Sequence, residues 1–413
     1  MPPAAVPSPL ASLEPRRHWW CLLLVAALAF MVGLDFLAVS LALPLMALDL
    51  GVGLTLACKV PVVYLLVGAC LLPVGRGLAR RMGSKRLLLW GAGLFWVASL
   101  LCGLSPGMGE LLAARAAQGL GAALMAVAGS ALLGRGDRGL GLAALAATLG
   151  AMAGAALGAL AAQHLGWRPV FWLNLPLGAA VILAGIRLLP ATPPAARGSG
   201  LDLVGALLLM GGLYFVISAL DLGQVHGPAD LRPWLSLALG AGCLATLWPW
   251  ERRTPAPVIL LPELREPGLA WGLAALLGGA ALAGGALLLL PFYLVDLLGL
   301  SPLRAGLLLV LAPAAALFLG WVLATSGQVW NSRNLALALG LGALAGVVGV
   351  ERIFSLSLPA SLVRGGVHFT QAGLPQEALA AAFGHAFLLI PALALAAVAC
   401  VWLSRRARGR AAY

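Results

Sequence analysis

Asp35 is the one acidic residue in the apolar run from Trp19 to Pro44. A carboxylate inside a membrane-crossing helix costs at least roughly 2.5 kcal/mol, so it marks a functional site by default. Such a group can load and release a proton, or pair with a cationic substrate. The bland alternative is an Asp at the water interface that ends a helix. The apolar run continues past Asp35 to Pro44, which favours the functional reading. Arg115 and Gln118 interrupt a second run, Leu111 to Leu133. They are three apart and share one helix face. They could line a cavity and tune a nearby carboxyl; equally, Arg115 could snorkel to the interface. Asn174, in Trp167-Arg168-Pro169-Val170-Phe171-Trp172-Leu173-Asn174-Leu175-Pro176, could hydrogen-bond a ligand or, more simply, a neighbouring helix.

Two further patterns concern packing and topology. Gly150, Gly154 and Gly158 recur every four residues and make a flat face for close helix contact. Gly75, Arg76, Gly77, Arg80, Arg81, Gly83, Lys85 and Arg86 form a basic, glycine-containing connection. On charge alone this is a topology anchor, and its glycines suit a tight turn between antiparallel helices. Asp202, Asp221 and Glu377 read as interface residues, Asp296 as the outer end of a span, and His385 as a packing residue.

The elements that position these groups are apolar helices. Of 413 residues, 62% are hydrophobic and only 10% charged, against about 25% charged in a soluble domain. The chain is therefore an all-α integral membrane protein. Its net charge of +12 sits in short connections, the pattern of basic cytoplasmic loops and not of nucleic-acid binding. Six cysteines lack metal-ligand spacing and read as buried thiols. No nucleotide-binding loop, zinc-protease motif or nucleophile–base pair stands out, so no cofactor, metal or enzymatic activity is expected.

Run length gives about twelve spans: Trp19–Leu43, Leu56–Val74, Leu87–Leu104, Leu111–Leu133, Leu140–Ala162, Val170–Leu189, Leu203–Leu220, Pro233–Trp250, Leu269–Val295, Leu303–Ala324, Leu335–Val350 and Leu379–Leu403. The expected organisation is a disordered cytoplasmic segment over residues 1–18, a six-helix bundle over 19–189 and a linker over 190–200. Two linker helices with a cytoplasmic loop follow over 201–268, then a shortened bundle over 269–403 and a basic tail over 404–413. Basic-residue bias places both termini in the cytoplasm of a plasma-membrane protein.

In order along the chain, these motifs resemble the major facilitator superfamily, and within it the fourteen-helix drug:proton antiporter branch. Leu34-Asp35 through Pro44 is similar to that branch's first-span motif, and Gly75 to Arg86 to its loop motif. Leu111 to Gly121 is similar to the fourth-span motif, Gly150 to Gly158 to the antiporter motif, and Trp167 to Gly178 to the Trp-Arg-x-x-Phe-x-x-Asn-x-Pro signature. Tyr293 to Gly306 matches in the second half.

The resemblance implies a two-bundle transporter that works by alternating access and exports small hydrophobic or cationic compounds against protons. It also implies a monomer with no cofactor, contacting only substrate, protons and lipid. Asp35, Arg115, Gln118 and Asn174 would then carry coupling. Gly75, Arg80, Arg81, Gly83 and Lys85 would form the gating loop. Gly150, Gly154 and Gly158 would form the packing face. The chain departs from the pattern at Ser40, Lys59, Gly77, Ala155, Ala159 and Asp296, and Arg80 replaces the loop motif's acid. Glu351 to Glu377 is too short and polar to hold the two further spans that the branch has there. The alternative reading is a degenerate relative serving as a membrane scaffold.

Overall fold

The computed structural model describes residues 14–309, apart from 134–136, 193–199, 228, 256, 260–269 and parts of 271–292; single helical positions follow at 348, 381, 384, 385 and 399. Among the described residues every regular element is helical. The helices are α1 (Pro15–Asp49), α2 (Leu54–Ala57), α3 (Lys59–Met82), α4 (Ser84–Leu104), α5 (Met108–Leu133), α6 (Asp137–Leu165), α7 (Arg168–Trp172), α8 (Asn174–Leu188), α9 (Leu203–His226) and α10 (Leu231–Arg253). A π-helical turn, Tyr293–Leu297, precedes α11 (Pro302–Leu309). Seven described stretches are long and apolar enough to cross a membrane: α1, α3, α4, α5, most of α6, α7 with α8, and most of α9. The expected spans after Leu309 lie outside the described residues.

Two boundaries differ from the sequence expectation. Residues Pro15 to His18 form the first turn of α1 instead of irregular chain, and α1 runs through Pro44 to Asp49. Neighbouring helices tolerate such an internal proline in a membrane bundle. The sixth span is broken at Leu173 into α7 and α8. Pro176 has no N–H to offer the Trp172 carbonyl, so the ladder skips there and Asn174 becomes the first residue of α8.

Helix α1 packs on α6 and α8, α5 on α3 and α4, and α4 also on α8. Glycine makes the closest contacts. A Cβ on Gly150 would fall on the Phe30 carbonyl, one on Gly154 on the Leu34 carbonyl, and one on Gly158 within 2.6 Å of the Ala38 Cα. Gly119 and Gly121 likewise seat α5 against the α3 backbone at Tyr64 and the α4 backbone at Phe95. In lipid, this close approach supplies the packing that the hydrophobic effect cannot.

Helices α9 and α10 form a hairpin docked on α3. Lys59 Nζ pairs with Asp221 Oδ2 at 3.2 Å, and Leu201 packs at Gly77. Asp202 caps α9 by accepting from the Gly205 amide at 2.8 Å, and it accepts from Trp250 Nε1 at 2.8 Å. Asp202 and Asp221 are thus buried against protein partners.

Glu251 is also buried and accepts from the backbone amides of Val258 and Ile259, both at 3.2 Å. Burial pushes its carboxyl above the ordinary Glu value of about 4.3, against the pull of the Ile259 amide, with the Asp202 carboxylate adding to the rise. The folded chain therefore holds this proton to higher pH than the unfolded one. The junction is tightest at low pH and loosens as pH rises through the folded value. Amide protection factors at Val258 and Ile259 are expected to fall as pH rises through the range in which Glu251 gives up its proton. Glu251→Gln should flatten that trend, and an unchanged slope in the variant would assign it elsewhere.

Candidate functional site

The four residues expected to act together do meet. Asp35 from α1, Arg115 and Gln118 from α5, and Asn174 from α8 are all fully buried, at 0% exposure. Arg115 Nη1 donates to Asp35 Oδ2 at 2.7 Å and to Gln118 Oε1 at 2.6 Å. Gln118 Nε2 donates to Asp35 Oδ1 at 2.9 Å, and Asn174 Nδ2 to the same oxygen at 2.8 Å. The Asp35 carboxylate thus carries three donors, one of them charged. Buried charges persist only when paired and hydrogen-bonded in this way. The snorkelling alternative for Arg115 does not hold.

The local sequence explains the convergence. Gly119 and Gly121 follow Gln118 and let α5 close onto α3 and α4. Arg115 Nε then reaches the Val60 carbonyl of α3 at 3.3 Å, and Gln118 Nε2 reaches Ser99 Oγ of α4 at 2.9 Å. Ser99 Oγ itself donates to the Phe95 carbonyl at 2.8 Å, and Cys102 Sγ donates to Gln118 Oε1 at 3.8 Å. Two donors on one side and two acceptors on the other fix which way the Gln118 amide faces. The Arg115 guanidinium lies over the Tyr64 ring at 4.4 Å and the Phe171 ring at 5.7 Å. Such contacts are worth up to about 2 kcal/mol when desolvated.

Three atoms of this assembly are buried without a partner in this conformation: Tyr64 Oη, Arg115 Nη2 and Asn174 Oδ1. A buried polar atom left unpaired costs about 1–3 kcal/mol. The set offers a cationic donor, an acceptor and a hydroxyl that is both.

The loop residues lie apart from this network. A Cβ on Gly75 would lie 3.1 Å from Val127 Cγ2, Arg80 and Arg81 are exposed at the end of α3, and Gly83 turns the chain at φ +84° beside Thr192. Lys85 Nζ donates to the carbonyls of Ile186 and Leu189 at the end of α8. Gly150, Gly154 and Gly158 form the α6 face that touches α1 on either side of Asp35. Sequence reasoning did not single out Ser99 or Tyr64, took Cys102 only as a buried thiol, and named Phe171 only within the Trp167 to Gly178 motif. The described residues hold no cluster of metal-ligand side chains.

A polytopic helical membrane protein that buries a fully enclosed carboxylate–guanidinium pair between its helices has an arrangement suited to a carrier. The family comparison agrees: the Major Facilitator Superfamily model matches residues 25–412, and the chain belongs to that superfamily. The tetracenomycin C resistance and export protein of Streptomyces glaucescens is 28% identical over 403 residues, 88% of this chain and 75% of that protein. The puromycin resistance protein pur8 of Streptomyces alboniger is 35% identical over 302 residues, 71% of this chain and 59% of that protein. The putative multidrug resistance protein MdtD of Escherichia coli O157:H7 is 32% identical over 302 residues, 72% of this chain and 64% of that protein. The chain thus spans less than two thirds of the length of these last two relatives. Among solved structures, the peptide transporter POT in complex with sulfate aligns with a TM-score of 0.54, 16% identity and 94% coverage of both chains, a likeness of fold.

Proposed function

We propose that the chain is a proton-coupled secondary transporter that exports small hydrophobic or cationic compounds across the plasma membrane. In this reading it works as a monomer, with both termini in the cytoplasm, and as a carrier rather than an enzyme. The observation that carries the reading is the buried Asp35–Arg115 pair with its Gln118 and Asn174 donors. A proton arriving at Asp35 cancels its charge and weakens its hold on Arg115. A cationic cargo group competes for the same carboxylate, and a hydrogen-bond acceptor on the cargo can take the N–H of Arg115 Nη2. Proton and cargo then exclude each other, which is the requirement for exchange. The printed functions of the relatives, resistance and export, support the export direction. Rocking of the two halves about a midplane site would supply alternating access. Gly75 and exposed Arg80 and Arg81 on the last turns of α3, with Gly83 at the turn and Lys85 at the start of α4, would form the hinge that takes up this motion, where the sequence suggested a loop.

The test is efflux in everted vesicles. Cargo addition is expected to dissipate a pH gradient with the native chain, and Asp35→Asn is expected to abolish that response in protein whose melting curve shows it folded. A native chain that behaves like empty vesicles across neutral and cationic compounds would favour the non-transporting scaffold reading.

A further inference from the structure

The two ends of the helical bundle differ in how their cations are neutralised. Where α1 and α9 end and α3, α7 and α10 begin, cations face carboxylates. Arg168 Nη1 pairs with Asp49 at 2.6 Å, Lys59 with Asp221 at 3.2 Å, and Arg232 Nε with Asp230 at 3.9 Å. At the opposite end, the starts of α1 and α4 converge on the end of α8. They bring together Arg16, Arg17, Lys85, Arg86 and Arg187. Arg17 Nε donates to the Leu188 carbonyl at 3.0 Å. Lys85 Nζ donates to the carbonyls of Ile186 at 2.8 Å and Leu189 at 2.7 Å. Lys85 N also donates to Thr192 Oγ1 at 3.0 Å. Among the described residues, no ion pair joins any of these five cations to a carboxylate.

Their geometry is set by the fold and not by loop flexibility. Backbone carbonyls at the α8 terminus hold Arg17 and Lys85, where the helix dipole favours cations. Arg16, Arg86 and Arg187 remain exposed around them. Large indoles border the cluster. Trp19 and Trp20 on the first turns of α1 are 61% and 51% exposed, and Trp90, one turn past Arg86, is 68% exposed. Tryptophan beside arginine at a helix end is the pattern of the headgroup layer. Clusters of 4–8 basic residues next to a spanning helix attract anionic lipid.

We propose that the junction of α1, α4 and α8 is a binding site for an anionic phospholipid, its phosphodiester held by Arg16, Arg17, Arg86 and Arg187. Lys85 positions the α8 end of that site. The site rests on membrane embedding alone and is independent of proton coupling at Asp35.

The test titrates detergent-solubilised full-length chain with short-chain phosphatidylglycerol, phosphatidylcholine or free glycerol 3-phosphate, and reads thermal stability and bound lipid. Phosphatidylglycerol is expected to bind and raise the Tm, and the other two are not. Each cation near an anionic headgroup contributes about a fivefold gain. Replacing Arg16, Arg86 and Arg187 together by Gln should therefore weaken binding at least tenfold; none of these three makes a hydrogen bond that anchors α8. A matched variant with Arg80, Arg252 and Arg253 changed to Gln should bind like the native chain.

Equal response to both lipids, or equal loss in the two triple variants, overturns the site. Competition by glycerol 3-phosphate as strong as by lipid overturns the lipid assignment in favour of a soluble phosphate. Transport assays play no part in the readout, so failure of the export reading leaves this result standing, and the reverse.

Discussion

Replacing Arg115 by Met is expected to destabilise the solubilised protein by about 3–5 kcal/mol, the cost of breaking a fully buried ion pair by removing one partner. The size follows from the surroundings. Both side chains are 0% exposed, so the orphaned Asp35 carboxylate has no water to fall back on. It must draw water in or take up a proton, and either changes the packing of α1 on α5.

The double variant Asp35→Asn with Arg115→Met should recover most of the loss. An Asn at position 35 still offers an oxygen to Gln118 and Asn174, and no net charge remains buried. What stays lost are the bonds from Arg115 to the Val60 carbonyl and to Gln118 Oε1, each worth about 1 kcal/mol. A double-mutant cycle on thermal melts reads the coupling directly. Additive effects would mean that the pair is incidental. Strong coupling in stability, with transport present in the native chain and absent in all three variants, would mean that the pair is retained for function and not for stability. A well-packed apolar pair would hold the helices as firmly.

The parts of this site legible in the sequence are those whose chemistry is anomalous where they stand. Asp35 is conspicuous because it is the one carboxylate in a long apolar run. Arg115 and Gln118 are conspicuous because their spacing puts both on one helix face. The Gly150 series announces a contact face for the same reason. A period along one helix says which residues point together; it does not say which helix they meet.

Ser99 is therefore silent in the sequence. Its hydroxyl already satisfies itself on the Phe95 carbonyl of its own helix, and only the approach of Gln118 gives it a second role. Tyr64 and Phe171 look like ordinary apolar positions until the Arg115 guanidinium is placed over their rings. Asp202 and Asp221 look interfacial in the sequence because a position near a helix end suggests water. Tertiary contact supplies Trp250 to one and Lys59 to the other. The extension of α1 past Pro44 is hidden by a real local rule, since proline disfavours helix interiors, and packing in the bundle overrides it.

Gly154→Val is expected to cost at least about 3 kcal/mol, the upper range for overpacking a close-packed site. The first added carbon would fall on the Leu34 carbonyl of α1, which is backbone and cannot rotate away. Relief requires α1 and α6 to separate. Leu34 immediately precedes Asp35, so the separation carries the carboxylate away from Arg115 and Asn174, whose bonds to it are 2.7 and 2.8 Å long. The substitution should therefore lower transport further than its effect on stability predicts.

Gly93→Val on α4 is the control. A Cβ there meets nothing within 4 Å, and a side chain in place of glycine relieves the backbone entropy of a helix interior, by up to about 1 kcal/mol for Ala. The pair of variants separates two explanations for the glycines of this chain. If both variants lose stability equally, the glycines serve helix flexibility, and the α1–α6 contact is not what places Asp35. If only Gly154→Val does, the close backbone approach is what holds the carboxylate against its donors. The four-residue glycine spacing is then a condition of the ion pair and not a separate packing motif.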